Sequence, residues 1–277
     1  MDQLKHHIYH YTGATAILSI VTGRNLWLSD SFYVNDRSEG RLIDEYIKHI
    51  ISGQWPFELP GGVKLTDRHR EVLSCEVEKR ARMAIMSFSG SPHMLTQFRM
   101  YCPIDGGYVI GFPSEFLDKV SERVKCNYIR KDGFGWAKNF VVEYIRNLDR
   151  IDNGTTSPHQ LAIDNCRGNN LFNKRMIAGI TYKAEEFLAE DETRLYVQKN
   201  NLDMKYQFRA SRNDNAVIPY LELKLPNEEI DVYIGYGPNT NSEQARHTIS
   251  SFMMAARKAG TKWKFSYSLP EFKYLPR

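Results

Sequence analysis

A chain of 277 residues that is 42% hydrophobic, 25% charged and 12% aromatic can bury a substantial core, which excludes disorder over most of its length. Its net charge of +4 and pI near 8.7 suit an anionic ligand, nucleotide or nucleic acid, without demanding one. Cys75, Cys102, Cys126 and Cys166 form no Cys-x-x-Cys pair, and no apolar run reaches the ~18 residues of a membrane span, so a zinc ribbon, a disulfide framework and a spanning helix are all disfavoured. With no signal-like apolar stretch in Met1 to His7, a cytoplasmic protein is expected.

The opening stretch Ile8-Tyr9-His10-Tyr11-Thr12-Gly13 reads as a strand followed by a turn. Ala14, Ile17, Leu18 and Val21 then repeat at helical spacing, with Thr12 or Gly13 as the cap and Gly23 as the stop. A second extended piece, Asn25 to Ser29, leads into a polar loop holding Tyr33, Asn35, Asp36 and Glu39. Ser38 is placed to cap a helix carrying Leu42, Ile43, Tyr46, Ile47 and Ile50, and Thr66 opens a charged helix running to about Arg82. Met83–Ser89 and Gly107–Phe112 read as buried strands, Pro113–Glu122 as a helix, Val124–Ile129 as a strand and Trp136–Leu148 as a helix. Further on, Thr193–Val197, Lys205–Ala210, Ile218–Leu223 and Ile230–Tyr236 read as strands. A helix from Ser242 to Gly260 and a last strand, Trp263 to Ser268, complete an α+β order.

Strand alternation over Glu190-Asp191-Glu192-Thr193-Arg194 would set Glu190, Glu192 and Arg194 on one face: one carboxylate held by the guanidinium, the other left to act. A solvated charged edge is the plainer reading of that spacing. A lone histidine such as His10 is more often structural than a ligand, and Arg209 and Arg212 could hold phosphates.

Together, His10-Tyr11-Thr12, Asn35-Asp36 with Glu39, Phe98 to Tyr101, Gly107 to Phe112, Glu190 to Arg194, Ile218-Pro219-Tyr220 and Tyr236-Gly237-Pro238 resemble a widespread bacterial family of uncharacterised domains. Arg37 stands where that family has Pro, and Phe98 where it has Trp. The order His10, Tyr33, Glu192 also resembles the His-Tyr-Glu branch of the ADP-ribosyltransferase superfamily. That resemblance implies one ADP-ribosyltransferase-like mixed-sheet domain over residues 1–277, with 38–82 as a helical insertion. It implies NAD as substrate, Glu192 as the catalytic carboxylate, and Glu190 and Arg194 positioning it. His10, Tyr11, Thr12, Tyr33 and Asn35 would line the nucleotide site, with His10 on the ribose and Tyr33 stacked on nicotinamide. The expected activity is ADP-ribosyl transfer to a protein or nucleic-acid acceptor, or NAD hydrolysis, as in a toxin or phage-defence effector. The alternatives are a nucleotide-sensing module without turnover, and a metal-dependent nuclease built on Asp36, Glu39, Glu190 and Glu192.

Overall fold

The computed structural model describes residues 6–33, 42–53, 58–75, 81–103, 106–129, 133–168, 170–200, 205–210, 216–238 and 241–267. Among these, the chain begins β1 (His7–Thr12), α1 (Ala14–Gly23), β2 (Asn25–Asp30), α2 (Leu42–Ser52), α3 (Asp67–Ser74), β3 (Ala81–Ser89) and α4 (Leu95–Tyr101). It continues β4 (Tyr108–Pro113), α5 (Ser114–Leu117), β5 (Glu122–Lys125), β6 (Asn127–Ile129), α6 (Gly133–Ile151), α7 (Pro158–Gly168), α8 (Leu171–Thr181) and β7 (Tyr182–Ala184). It ends β8 (Glu192–Asn200), β9 (Gln207–Ala210), β10 (Val217–Lys224), β11 (Asp231–Tyr236), α9 (Ser242–Lys258) and β12 (Lys264–Tyr267). The expected α+β class is observed. Two compact units result: Met1–Tyr33 with Met83–Lys125 and Leu188–Arg277, and Val34–Arg82 with Cys126–Phe187. The helical segment expected as an insertion over 38–82 is thus only part of the second unit.

The first unit is built on a mostly antiparallel sheet in the order β12-β11-β4-β1-β3-β2-β10-β9, with β8 paired to β3 and β5 paired to β8. β1 lies full length along β4, from His7 opposite Pro113 to Thr12 opposite Tyr108. Against β3, by contrast, its register is the single pairing of Tyr9 with Ser89. β2 meets β3 lower down, at Ser29 with Ile85 and Asp30 with Ala84. A strand has two edges, so three partners on β3 make it the branch point of the sheet.

Alternation sorts the sheet into two faces. Ile8, Leu26, Leu28, Ala84, Met86, Phe88, Ile110, Phe112, Leu195 and Ile234 enter one core, joined by Ile17, Ile20 and Val21 of α1 and Ala245, Ile249 and Ala256 of α9. On the opposite face Tyr9, Tyr11, Val109 and Tyr233 pack with Phe98 of α4 and with Cys102, which caps that helix. Gly111 lies opposite both Tyr9 and Tyr233, and the Tyr9 ring occupies the space a side chain there would need.

The second unit is helical, with Ile43, Ile47, Val72, Phe140, Val141, Ile145, Leu148 and Leu161 in its core and a short parallel β6–β7 pair. Thr66 caps α3 in a capping box with His69, whose Nε2 lies 2.8 Å from Asp149. Asn165, fully buried, donates its amide to the Tyr144 carbonyl at 3.0 Å.

Several boundaries differ from the sequence expectation. α3 ends at Ser74, not near Arg82, because Cys75 turns extended and Ala81 onward belongs to β3; residues 76–80 lie outside the described residues. The helix after Pro113 stops at Leu117, since Glu122–Lys125 pairs with β8. The strand expected over 124–129 is two strands in different sheets. α1 includes Gly23, and Arg24 takes the left-handed cap at φ 55°, its N–H bonding the Ile20 carbonyl. α7 and α8 had no counterpart in the expected elements. Ser38 lies outside the described residues.

Candidate functional site at the head of β8

β8 does not begin where alternation suggested. Glu190 closes a 3-10 helix (Glu185–Glu190), Asp191 adopts a left-handed φ of 44°, and the strand starts at Glu192. The expectation that Glu190 shares a strand face with Glu192 and Arg194 is therefore corrected: the kink at Asp191 breaks the period between them. Such a conformation costs a non-glycine residue about 1–3 kcal/mol and persists only where its surroundings hold it. Here the Gly90 N–H donates to the Asp191 carbonyl at 3.2 Å, the Lys125 ammonium reaches that carbonyl at 3.1 Å and also pairs with the Asp191 carboxylate, and Ser89 Oγ donates to the Glu190 carbonyl at 2.7 Å. At Gly90 a Cβ would meet the Asp191 carboxylate, which would have to shift.

Within β8, Arg194 grips Glu192 with two donors, Nε to Oε1 at 2.8 Å and Nη2 to Oε2 at 3.1 Å. This two-pronged pair is 1% and 3% exposed, and Glu190 is 5% exposed. Leu195 faces the main core, so Glu192 and Arg194 point to the other side of the sheet, the side of Ile85, Ser87 and Ser89 on β3.

His10 has the core-side parity of Ile8 and lies beside the Phe88 ring, centroids 5.6 Å apart. It occupies the seam left where β1 departs from β3: its Nδ1 is 2.9 Å from the Ser87 carbonyl. Because a carbonyl only accepts, that nitrogen carries the proton and Nε2 presents a lone pair. Burial pushes the imidazole pKa down to about 4; the bond to Ser87 opposes the shift and the nearby Arg209 charge reinforces it. His10 is thus neutral near pH 7.

Tyr11 is locked on the α4 side. Its hydroxyl donates to the Ser91 carbonyl at 2.6 Å and accepts from the Met94 N–H at 2.9 Å, and its ring meets Phe98 edge-on. Thr12 is buried at the end of β1, with its carbonyl facing Cys102. Tyr33 sits in a single 3-10 turn and is 46% exposed. Asn35, Asp36, Glu39 and Arg212 lie outside the described residues. Among those described, no three His, Cys, Asp or Glu side chains converge as a metal site would need.

Arg209, one of the two arginines expected to be able to hold phosphates, stands on β9. Leu221 and Leu223 of β10 pack toward the core, so Ile218 and Tyr220 face the other way; Arg209, opposite Ile218, joins them. Tyr220 in turn lies opposite Ser29, and Arg209 Nη2 donates to Ser29 Oγ at 3.0 Å. Ser29, Tyr220 and Arg209 thus share the sheet face of Glu192 and Arg194. The adjacent Phe208-Arg209-Ala210 pattern offered a basic residue in a strand, but its counter-face was set only by pairing across three strands.

Comparison with known proteins returns no matching family model, no matching curated protein and no matching solved structure. No helix among the described residues is long and apolar enough to cross a membrane.

Proposed function

We propose that this chain binds NAD and cleaves the bond between nicotinamide and ribose, passing ADP-ribose to a protein or nucleic-acid acceptor or to water. The observation that carries the reading is the clamped, strained Asp191 between two buried carboxylates, one of them oriented by Arg194 through both its oxygens. Strain held in place by three neighbouring groups is a common mark of a functional turn. Cleavage of an N-glycosidic bond develops positive charge on the ribose, which a fixed carboxylate stabilises, as in glycoside hydrolysis. Glu192 takes that role, and Glu190 and Arg194 position it. A neutral His10 with an accepting Nε2 suits a sugar hydroxyl rather than a phosphate.

The near-complete burial of both carboxylates favours a second reading, a module that binds a nucleotide without turning it over. The test is release of nicotinamide from NAD by the purified protein, followed by chromatography. Glu192→Gln alone removes the carboxylate that Arg194 grips through both oxygens, so the decisive comparison adds the double variant E192Q/R194M, with folding checked by circular dichroism. Release by the parent and none by a folded double variant supports catalysis. Equal release by both sinks Glu192 as the catalytic carboxylate, and binding without release by the parent favours the second reading.

A further inference from the structure

We propose that Arg209 and Ser29 form an anion-binding subsite on the β2–β10–β9 face, one that takes a phosphate group of a nucleotide. A partly buried guanidinium needs an acceptor, because removing a charge from water is expensive unless it is paired. Arg209 has no carboxylate partner among the described residues: one nitrogen donates to the neutral Ser29 hydroxyl, and its buried Nε finds no acceptor. Among the described residues, the groups around it are neutral near pH 7. Tyr220 directs its hydroxyl to Gln207 Oε1 at 2.8 Å, Trp27 packs on Tyr220 with ring centroids 5.1 Å apart, and the nearby His10 is neutral.

The chemistry of the vacant donors selects the ligand. A guanidinium presents a planar fork that matches the paired oxygens of phosphate, and Ser29, which accepts from Arg209, keeps its own proton to donate. Desolvation lowers the Arg209 pKa, and a guanidinium keeps its charge in proteins. Ser29 and Arg209 face the same way as Glu192, which lets one extended nucleotide meet both the cation and the carboxylate. The choice of a nucleotide phosphate rests on the NAD reading above; the demand for an anion does not.

Calorimetric titration of the full chain with inorganic pyrophosphate and with ADP-ribose, for the parent, Arg209→Met and Arg209→Lys, tests this. The expected result is binding of both by the parent, a loss of about tenfold or more in R209M, the size of one charge-assisted hydrogen bond, and an intermediate loss in R209K. R209M is also expected to melt no lower than the parent, because it removes a charge that no carboxylate among the described residues pairs. A parent that binds neither probe, unchanged affinity in R209M, or a markedly lower melting temperature overturns the subsite; the last would mean the guanidinium is held for structure. Pyrophosphate binding lost in R209M, with no nicotinamide release by the parent, upholds the subsite and sinks the transfer reading. Nicotinamide release with an unchanged KM for NAD in R209M does the reverse.

Discussion

His10 illustrates how a single residue of a short motif acquires meaning from its surroundings. In the seam beside β3 its imidazole replaces a ladder hydrogen bond to the Ser87 carbonyl and stays neutral. The unfolded chain takes up its proton near pH 6.5, whereas the folded chain does so only near pH 4, so this group leaves stability unchanged above pH 6.5 and erodes it as pH falls from 6.5 to 4. The loss across that window is about 3 kcal/mol. Urea denaturation at pH 7 and pH 4.5 checks it: His10→Asn, which keeps a donor at the Nδ1 position, should flatten the His10 part of the slope. The buried Glu192–Arg194 pair gives a second expectation at this scale. Glu192→Gln should cost about 3–5 kcal/mol by breaking this buried two-pronged pair, and E192Q/R194M should recover much of that cost, both read from denaturation midpoints.

At the level of elements, the branch at β3 organises the first unit. β3 meets β1 at Ser89 and β2 at Ile85 and Ala84, while its far end delivers Ser89 and Gly90 to the head of β8. The strand hydrophobicity of Met83–Ser89 was plain, yet nothing local to it names its partners. On the β4 side, Gly111 is required because the Tyr9 ring crosses it and Tyr233 closes the other flank. A Cβ there would meet the Tyr9 ring at 2.6 Å and Tyr233 Cβ at 3.2 Å, so Gly111→Ala should destabilise by about 1–3 kcal/mol through overpacking, read as a lower urea midpoint. α7 shows a start signal that was legible but unused: Ser157-Pro158 places Ser157 Oγ to accept from the Gln160 N–H, with proline at the first helical position.

For the whole molecule, a ligand that binds only the folded chain must raise its stability. ADP-ribose at about 100 times its Kd should add about 2.7 kcal/mol and raise the melting temperature of the parent, with a smaller rise in Arg209→Met; no rise at any concentration would remove the nucleotide reading. The α+β class and most strands and helices of the first unit were determined by the sequence alone, because hydrophobic period and turn residues act within a few positions of the chain. So was the presence of a carboxylate and arginine cluster at Glu190 to Arg194. What only the tertiary structure decided depends on pairings between distant segments. It split the chain into two units and turned Asp191 into a clamped kink. It held His10 in the seam beside β3 against the Ser87 carbonyl, and it set Arg209 beside Ser29. Local spacing reports which way a side chain points from its own strand; which strand lies next to it is settled by packing the whole sheet.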